Sequence, residues 1–143
     1  MTNISSNTEP IIRTADPEDL DAIMELLIPF MNAQRLLLRT REQVSSLLPT
    51  AFVSVLDDTV VGFATIEIYS NKLAEIQCLA VREIHQGKGI GKLLIKSCLD
   101  TAKRHGVLEV MAISASDQFL KRCGFDYSLP GQKRALFYNT QHN

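Results

Sequence analysis

Three glycines, Gly87, Gly89 and Gly91, stand within five residues, with Gln86 ahead of them and Lys88 and Lys92 interleaved. Glycines let a backbone come close to a ligand. Apolar residues recur behind them at Ile90, Leu93, Leu94, Ile95, Cys98, Leu99 and Ala102, at helical spacing, so the turn opens a helix. The unpaired N–H groups of such a helix and the positive end of its dipole favour a phosphate. The bland alternative is a tight strand-to-helix turn whose glycines serve geometry alone, and the glycines by themselves do not separate the two. GxxxxGK[ST] is absent and GKGIG lacks GxGxxG spacing, so this is neither a P-loop nor a dinucleotide fingerprint.

A second chemical group lies just upstream. Leu73 to Val81 reads as a strand, and alternation places Glu75, Gln77, Leu79 and Val81 on one face and Ile76, Cys78 and Ala80 on the other. A carboxylate on a mostly apolar strand beside a cleft can serve as a base, directly or through water. A surface carboxylate, or one that only orients a substrate ammonium, fits the same pattern. Cys78, Cys98 and Cys123 are widely spaced and each sits among apolar residues, which reads as core rather than nucleophile, disulfide or metal ligand. His85, His105 and His142 have no ligand spacing, and no metal site is expected.

Gln86 to Gly91 resembles the Q/R-x-x-G-x-G/A motif of the GCN5-related N-acetyltransferases, and Ala74 to Val81 resembles the strand that precedes it. Cys123-Gly124-Phe125 is similar to the family's later L-G-F. The resemblance covers roughly residues 11–138. It implies acetyl-CoA as cofactor, held by the backbone of Gln86, Gly87, Lys88, Gly89, Ile90 and Gly91 with Lys92 at the helix start. The strand backbone at Leu79, Ala80 and Val81 would meet the pantetheine arm and polarise the thioester. It also implies Glu75 as the base that takes the amine's proton. Amine and thioester held together need no covalent intermediate. Many family members carry a tyrosine as general acid four residues before the glycine of L-G-F; here that residue is Leu120. Tyr127 and Tyr138 are candidate replacements, each equally readable as a half-buried packing residue with a satisfied hydroxyl, and Ser114 falls where many members have a hydrogen-bonding asparagine.

Within the family, the nearest resemblance is to the acetyltransferase domain of N-acetylglutamate synthases. Leu36-Leu37-Leu38-Arg39-Thr40 is similar to their L-L-x-R-S/T segment, which makes Arg39 the expected carboxylate-binding residue of an amino-acid acceptor. The alternative for Arg39 is a surface arginine beside a helix cap. Ser114-Ala115-Ser116 replaces the T-T-R tract of those enzymes, and their later arginine and serine have no counterpart before Gln141-His142-Asn143. Three functions follow: an N-acetyltransferase for a small amine, an N-acetylglutamate synthase, or an acyl-CoA-binding sensor with little catalysis.

The 143 residues suit one domain, and their 45% hydrophobic content suffices for a core. A formal net charge of −1 argues against nucleic acid or a membrane surface as partner. A small-molecule amine is the expected partner, with a homodimer left open. No apolar run could span a membrane and no secretory signal pattern stands at the start, so a cytoplasmic protein is expected.

The elements that must position these groups follow in order. Ile11 to Thr14 is a strand. Asp16-Pro17-Glu18-Asp19 starts a helix with a buried stripe of Leu20, Ile23, Met24, Leu27 and Ile28. Thr40 to Gln43 is a capping box for a helix through Leu48. Ala51–Leu56 and Val60–Tyr69 form a hairpin, with Gly62 marking a bulge or a close approach. After the long helix, capped at Gly106, come a strand at Val107–Ile113, a short helix capped by Asp117 and running through Arg122, a Pro130-Gly131 turn and a last strand at Ala135–Tyr138. The expected fold is α/β of the α+β kind: a mixed, mostly antiparallel central sheet flanked by helices, with a pyrophosphate-binding strand–turn–helix.

Overall fold

The computed structural model describes residues 9–114, 117–127 and 136–141. The chain divides into two compact units, Met1–Ile113 and Ser114–Asn143.

The first unit holds a five-stranded sheet in simple order: β1 (Ile11–Thr14), β2 (Ala51–Leu56), β3 (Thr59–Ile68), β4 (Leu73–Val81) and β5 (Glu109–Ala112). The first four strands are antiparallel and β4–β5 is parallel, across the single crossover that the sequence pattern predicts. The β2–β3 turn is two residues, Asp57 and Asp58, both at positive φ (50° and 62°), which suits a short hairpin because the twist of such a turn matches that of the strands.

Three helices cover the sheet. Asp16 and Asp19 form a reciprocal capping box around a 3₁₀ turn at Pro17–Asp19, and α1 (Leu20–Asn32) follows. Thr40 and Gln43 form the expected capping box and open α2 (Arg41–Leu47). Residues of α1 and α2 bury Ile23, Leu27 and Val44 against Val53, Phe63 and Ala80 of the sheet. The opposite face meets α3 (Ile90–Arg104), whose Ile90 and Leu94 lie directly over Gly62. A Cβ on Gly62 would stand 3.0 Å from Leu94 Cδ1 and 3.2 Å from both Ile90 Cγ2 and Ser54 Cβ, so this glycine marks a close approach. Gly106, at φ 71°, ends α3 in a Schellman cap, with the Gly106 N–H on Lys103 O and the Val107 N–H on Ala102 O.

Four expectations change. The buried stripe of α1 is Leu20, Ile23, Leu26, Leu27 and Met31, while Ile28 is 43% exposed, because the helix runs on through Pro29 for another turn. The expected strand at Val107–Ile113 shortens to Glu109–Ala112, since the Val107 N–H is spent on the cap of α3. In the second unit α4 (Asp117–Arg122) takes Asp117 as its first residue. Leu136, Phe137 and Tyr138 are strongly exposed and belong to no strand, whereas Ala135 and the Pro130-Gly131 turn lie outside the described residues. No helix among the described residues is long and apolar enough to cross a membrane.

Candidate active site

The site is built on β4, and a bulge in that strand decides its layout. Gln77 pairs with Thr65 and Ala80 pairs with Phe63, so Cys78 and Leu79 together oppose the single Ala64. Cys78 takes φ 58°, a left-handed conformation rare for a residue with a Cβ. The bulge also corrects the expected alternation. Glu75 and Gln77 share a face as predicted, but past the bulge it is Ala80 that joins that face, packing with α1 and α2, while Val81 turns to the side of Gly62 and Ile76.

On the α1–α2 face of β3 and β4 a continuous polar chain forms. The register sets Glu67 directly opposite Glu75. Tyr69 donates its hydroxyl to Glu75 Oε1 at 2.6 Å. Gln77 Nε2 donates to Glu67 Oε1 at 2.5 Å and reaches the Tyr69 hydroxyl at 3.1 Å. Arg39, from the connector between α1 and α2, donates to Gln77 Oε1 at 2.8 Å and to Cys78 Sγ at 3.2 Å. The backbone N–H of Arg39 meets Met31 Sδ at 3.3 Å, which ties the connector back to α1. Arg39 is therefore half-buried and fixed on β4, not a free surface arginine beside the cap.

Two pKa directions matter. Partial burial and the bond donated to Glu75 raise the Tyr69 hydroxyl well above the ordinary tyrosine range, so it remains a donor at any working pH. Burial raises the Cys78 thiol, and the nearby Arg39 charge opposes that rise without reversing it. A buried neutral thiol is a poor nucleophile. Cys98 is core, its thiol pushed up to about 12 by burial.

Glu67, Tyr69 and Gln77 were not singled out from sequence. Counting pairs outward from the Ser70–Lys72 turn finds Glu67 and Gln77 on the face of Glu75, but not the reach of the Tyr69 hydroxyl from just beyond β3.

At its other end β4 leads into the glycine turn. β5 pairs with β4 only from Leu73 to Ile76, so from Gln77 to Val81 that edge of β4 has no partner strand among the described residues. Along that edge Val81 O is taken by the Gln86 side chain, and the rest lacks a strand partner in the region expected to meet a pantetheine arm. Beyond Val81, a 3₁₀ turn at Glu83–His85 brings in Gln86, whose side-chain amide donates to Val81 O at 2.9 Å. Gly87 and Gly89 stand at φ 81° and 86°, and nothing lies within 4 Å of where a Cβ would be on either. Gly89 is the N-cap of α3, and the first N–H groups of this fifteen-residue helix have no side-chain cap. Those features fit a pyrophosphate, with Lys88 and Lys92 exposed beside it. A groove of about 680 Å³ lies between α1 with its exit (Leu26, Phe30, Ala33) and the residues that follow β4 (Arg82, Glu83, Ile84), and no residue of the glycine turn lines it.

The sequence model of the Acetyltransferase (GNAT) family matches residues 20–125, from α1 past α4. This chain belongs to that family. A family member of Chlorobaculum tepidum, an uncharacterised N-acetyltransferase, is 32% identical over 114 residues, covering 80% of this chain and 74% of that protein. The amino-acid acetyltransferase of Pasteurella multocida is 26% identical over 146 residues, 98% of this chain but 33% of that enzyme. Among solved structures, the N-acetylglutamate synthase of Neisseria gonorrhoeae complexed with coenzyme A and N-acetyl-glutamate superposes with a TM-score of 0.79 at 26% identity, covering 85% of this chain and 29% of that one. The GNAT chain thus spans about a third of the length of these amino-acid acetyltransferases. It is an acetyltransferase by family, and its sheet, helices and glycine turn are those of the family fold.

In the second unit the Tyr127 hydroxyl donates to Asp117, its ring lies under Lys121 Nζ at 4.2 Å, and the bond to Asp117 raises its pKa. Leu120, in the usual tyrosine slot, is buried, and the Phe125 N–H returns to its carbonyl at 3.0 Å in the cap that Gly124 (φ 97°) completes. Ser114 is exposed. Among the described residues no group of His, Cys, Asp and Glu could hold a metal ion.

Proposed function

We propose that this GNAT domain transfers the acetyl group of acetyl-CoA to the amine of a small acceptor that carries a carboxylate, with amine and thioester held together in one ternary complex. The observation that carries this reading is the polar chain on β4, which ends in a cation at Arg39 and a carboxylate at Glu75 on the same face.

Acetyl-CoA supplies an activated acetyl thioester and a thiolate that leaves readily. The backbone of Gln86 to Gly91, with Lys92, binds its pyrophosphate. The unpaired edge of β4 at Leu79 to Val81 offers backbone groups to its pantetheine arm and thioester oxygen. Arg39 binds the acceptor carboxylate through its planar fork. Glu75, fixed by Tyr69, receives the proton of the acceptor ammonium directly or through water. On the family resemblance Tyr127 is assigned to the leaving thiolate, a role for which its hydroxyl would have to leave Asp117, and Ser114 to a supporting hydrogen bond. The family match runs through both units, which supports reading residues 1–143 as one acetyltransferase domain.

An amino-acid acceptor fits the names of the relatives, and glutamate is the first to try, since the Neisseria gonorrhoeae synthase is complexed with N-acetyl-glutamate. The test is titration calorimetry with acetyl-CoA, then thiol release against single amino acids and polyamines. Binding with turnover on a carboxylate-bearing amine is the expected result. Binding without turnover on any amine would favour a sensor, and no binding would remove the reading altogether.

A further inference from the structure

Charge on both sides orients the middle of the polar chain on β4. Arg39 can only donate, and a glutamate carboxylate accepts. With a cation on one side and a carboxylate on the other, the Gln77 amide turns its oxygen to Arg39 and its nitrogen to Glu67, while the Tyr69 hydroxyl lies 2.6 Å from Glu75 Oε1 and 3.5 Å from Glu67 Oε1. The orientation of Gln77 is thus set by charge on both sides.

Arg39 itself is unusually served. Its guanidinium is half-buried, yet among the described residues its side-chain partners are an amide oxygen and a thiol, both neutral. A carboxylate binds arginine more strongly than an amide does, at shorter distance and with a matched fork. Glu67 and Glu75, two strand positions away, do not take it, because Gln77 stands between.

We infer that Gln77 is a specificity-determining residue. It occupies Arg39 while the acceptor is absent, and an acceptor's carboxylate displaces it. This rests on the reading of Arg39 given above and adds what that reading lacks, a reason for the site to prefer amines with a carboxylate over plain amines. A plain amine leaves the Arg39–Gln77 bond intact and gains nothing from the guanidinium. An amino acid exchanges a neutral partner for a charged one. Its ammonium is drawn at the same time toward Glu75, two residues along β4, or roughly 6.6 Å.

The test uses matched acceptors: L-lysine with 1,5-diaminopentane, L-glutamine with 4-aminobutanamide, and L-phenylalanine with phenethylamine. Gln77→Glu gives Arg39 an internal carboxylate that the acceptor must now displace. The expected result, in whichever pair is turned over, is a rise in KM for the amino acid about tenfold greater than any change for its plain amine, as a charge-assisted bond replaces a neutral one. Gln77→Met, similar in length but without an acceptor for Arg39, covers the case in which Gln77→Glu does not fold. It should leave the amino-acid KM unchanged or lower while kcat falls, because Glu67 and Tyr69 lose their amide partner. Equal changes for both members of a pair, or a selective rise of the amino-acid KM in Gln77→Met, would overturn the proposal. Arg39→Ala separates this from failure of the underlying reading: if it costs amino acids no more than plain amines, Arg39 does not bind the acceptor carboxylate at all.

Discussion

Substituting Gly62 by alanine reaches the cofactor turn from inside the core. The added Cβ meets Leu94 Cδ1 at 3.0 Å and Ile90 Cγ2 and Ser54 Cβ at 3.2 Å, where ordinary contacts begin near 3.4 Å. Leu94, Ile90 and Ser54 are fully or almost fully buried, so none of them can swing into solvent. Most of the shortfall of a few tenths of an ångström falls on the first two turns of α3, to which Ile90 and Leu94 belong. Overpacking of this kind costs about 1–3 kcal/mol. For a chain of this size each kcal/mol lowers the melting temperature by about 2–4 °C, so a loss of roughly 2–12 °C is expected. Because Ile90 is the first residue of α3, the displaced helix also presents its N–H groups less well to pyrophosphate. Helix-end charge interactions of about 0.3–1 kcal/mol convert to a two- to fivefold weaker affinity for acetyl-CoA. Thermal unfolding and calorimetry read the two effects on one sample. Gly87→Ala is the contrast: nothing lies near its Cβ, and the cost is the left-handed backbone alone, about 1 kcal/mol. If Gly62→Ala melts with wild type and binds acetyl-CoA unchanged, the packing of α3 on β3 is not what holds the turn in place.

Other perturbations separate the roles along the chain. Glu75→Gln should lower kcat about 10²- to 10⁴-fold with acetyl-CoA affinity unchanged, as measured by thiol release and calorimetry; an unchanged rate would remove Glu75 as base. Thr40→Ala removes the side-chain acceptor at the start of α2 and should cost about 1 kcal/mol in urea unfolding. Asp19 is held below the usual carboxylate range, chiefly by its hydrogen bond from Arg13. The unfolded chain therefore binds this proton more readily. The stabilisation is complete above the unfolded value near pH 4 and is lost as pH falls through the lower folded value. Asp19→Asn should flatten the acid side of the stability–pH curve, and an unaltered slope would assign acid unfolding elsewhere. Cys98, with its thiol near 12 and fully buried, should resist a thiol reagent at pH 8 until denaturant is added.

The parts of the structure that were legible in the sequence are those written in local pattern. Strands β1, β2 and β4 begin and end where composition places them, Asp16 caps as expected, the Thr40–Gln43 capping box forms, and Gly106 closes α3. These features depend on residues a few positions apart. The polar chain depends instead on register, which brings together residues from the α1–α2 connector, β3 and β4. Arg39 and Gln77 are 38 positions apart in sequence. The bulge at Cys78 was hidden for a different reason. No glycine or proline marks it, and alternation extrapolated through it puts Ala80 and Val81 on the wrong faces.

That bulge links the two ends of the site. It gives β4 one residue more than β3 uses, at the point where pairing with β5 has already stopped. Upstream of it, Glu75 and Gln77 are held in register with β3 and keep their polar partners on the α1–α2 face. Downstream, the strand continues with one edge unpaired into a turn whose open glycines precede the N-terminus of α3. The carboxylate and the phosphate-binding turn thus belong to one strand, and their relative position is set by strand geometry rather than by a loop. A cysteine with a Cβ at positive φ carries a backbone penalty of roughly 1–2 kcal/mol. Cys78→Gly relieves it at the cost of the Arg39 contact. The fold should therefore tolerate that change in urea unfolding, while the connector holding Arg39 loosens and the KM for carboxylate-bearing acceptors rises. A Cys78→Gly enzyme with wild-type KM would show that Gln77 alone is enough to place Arg39.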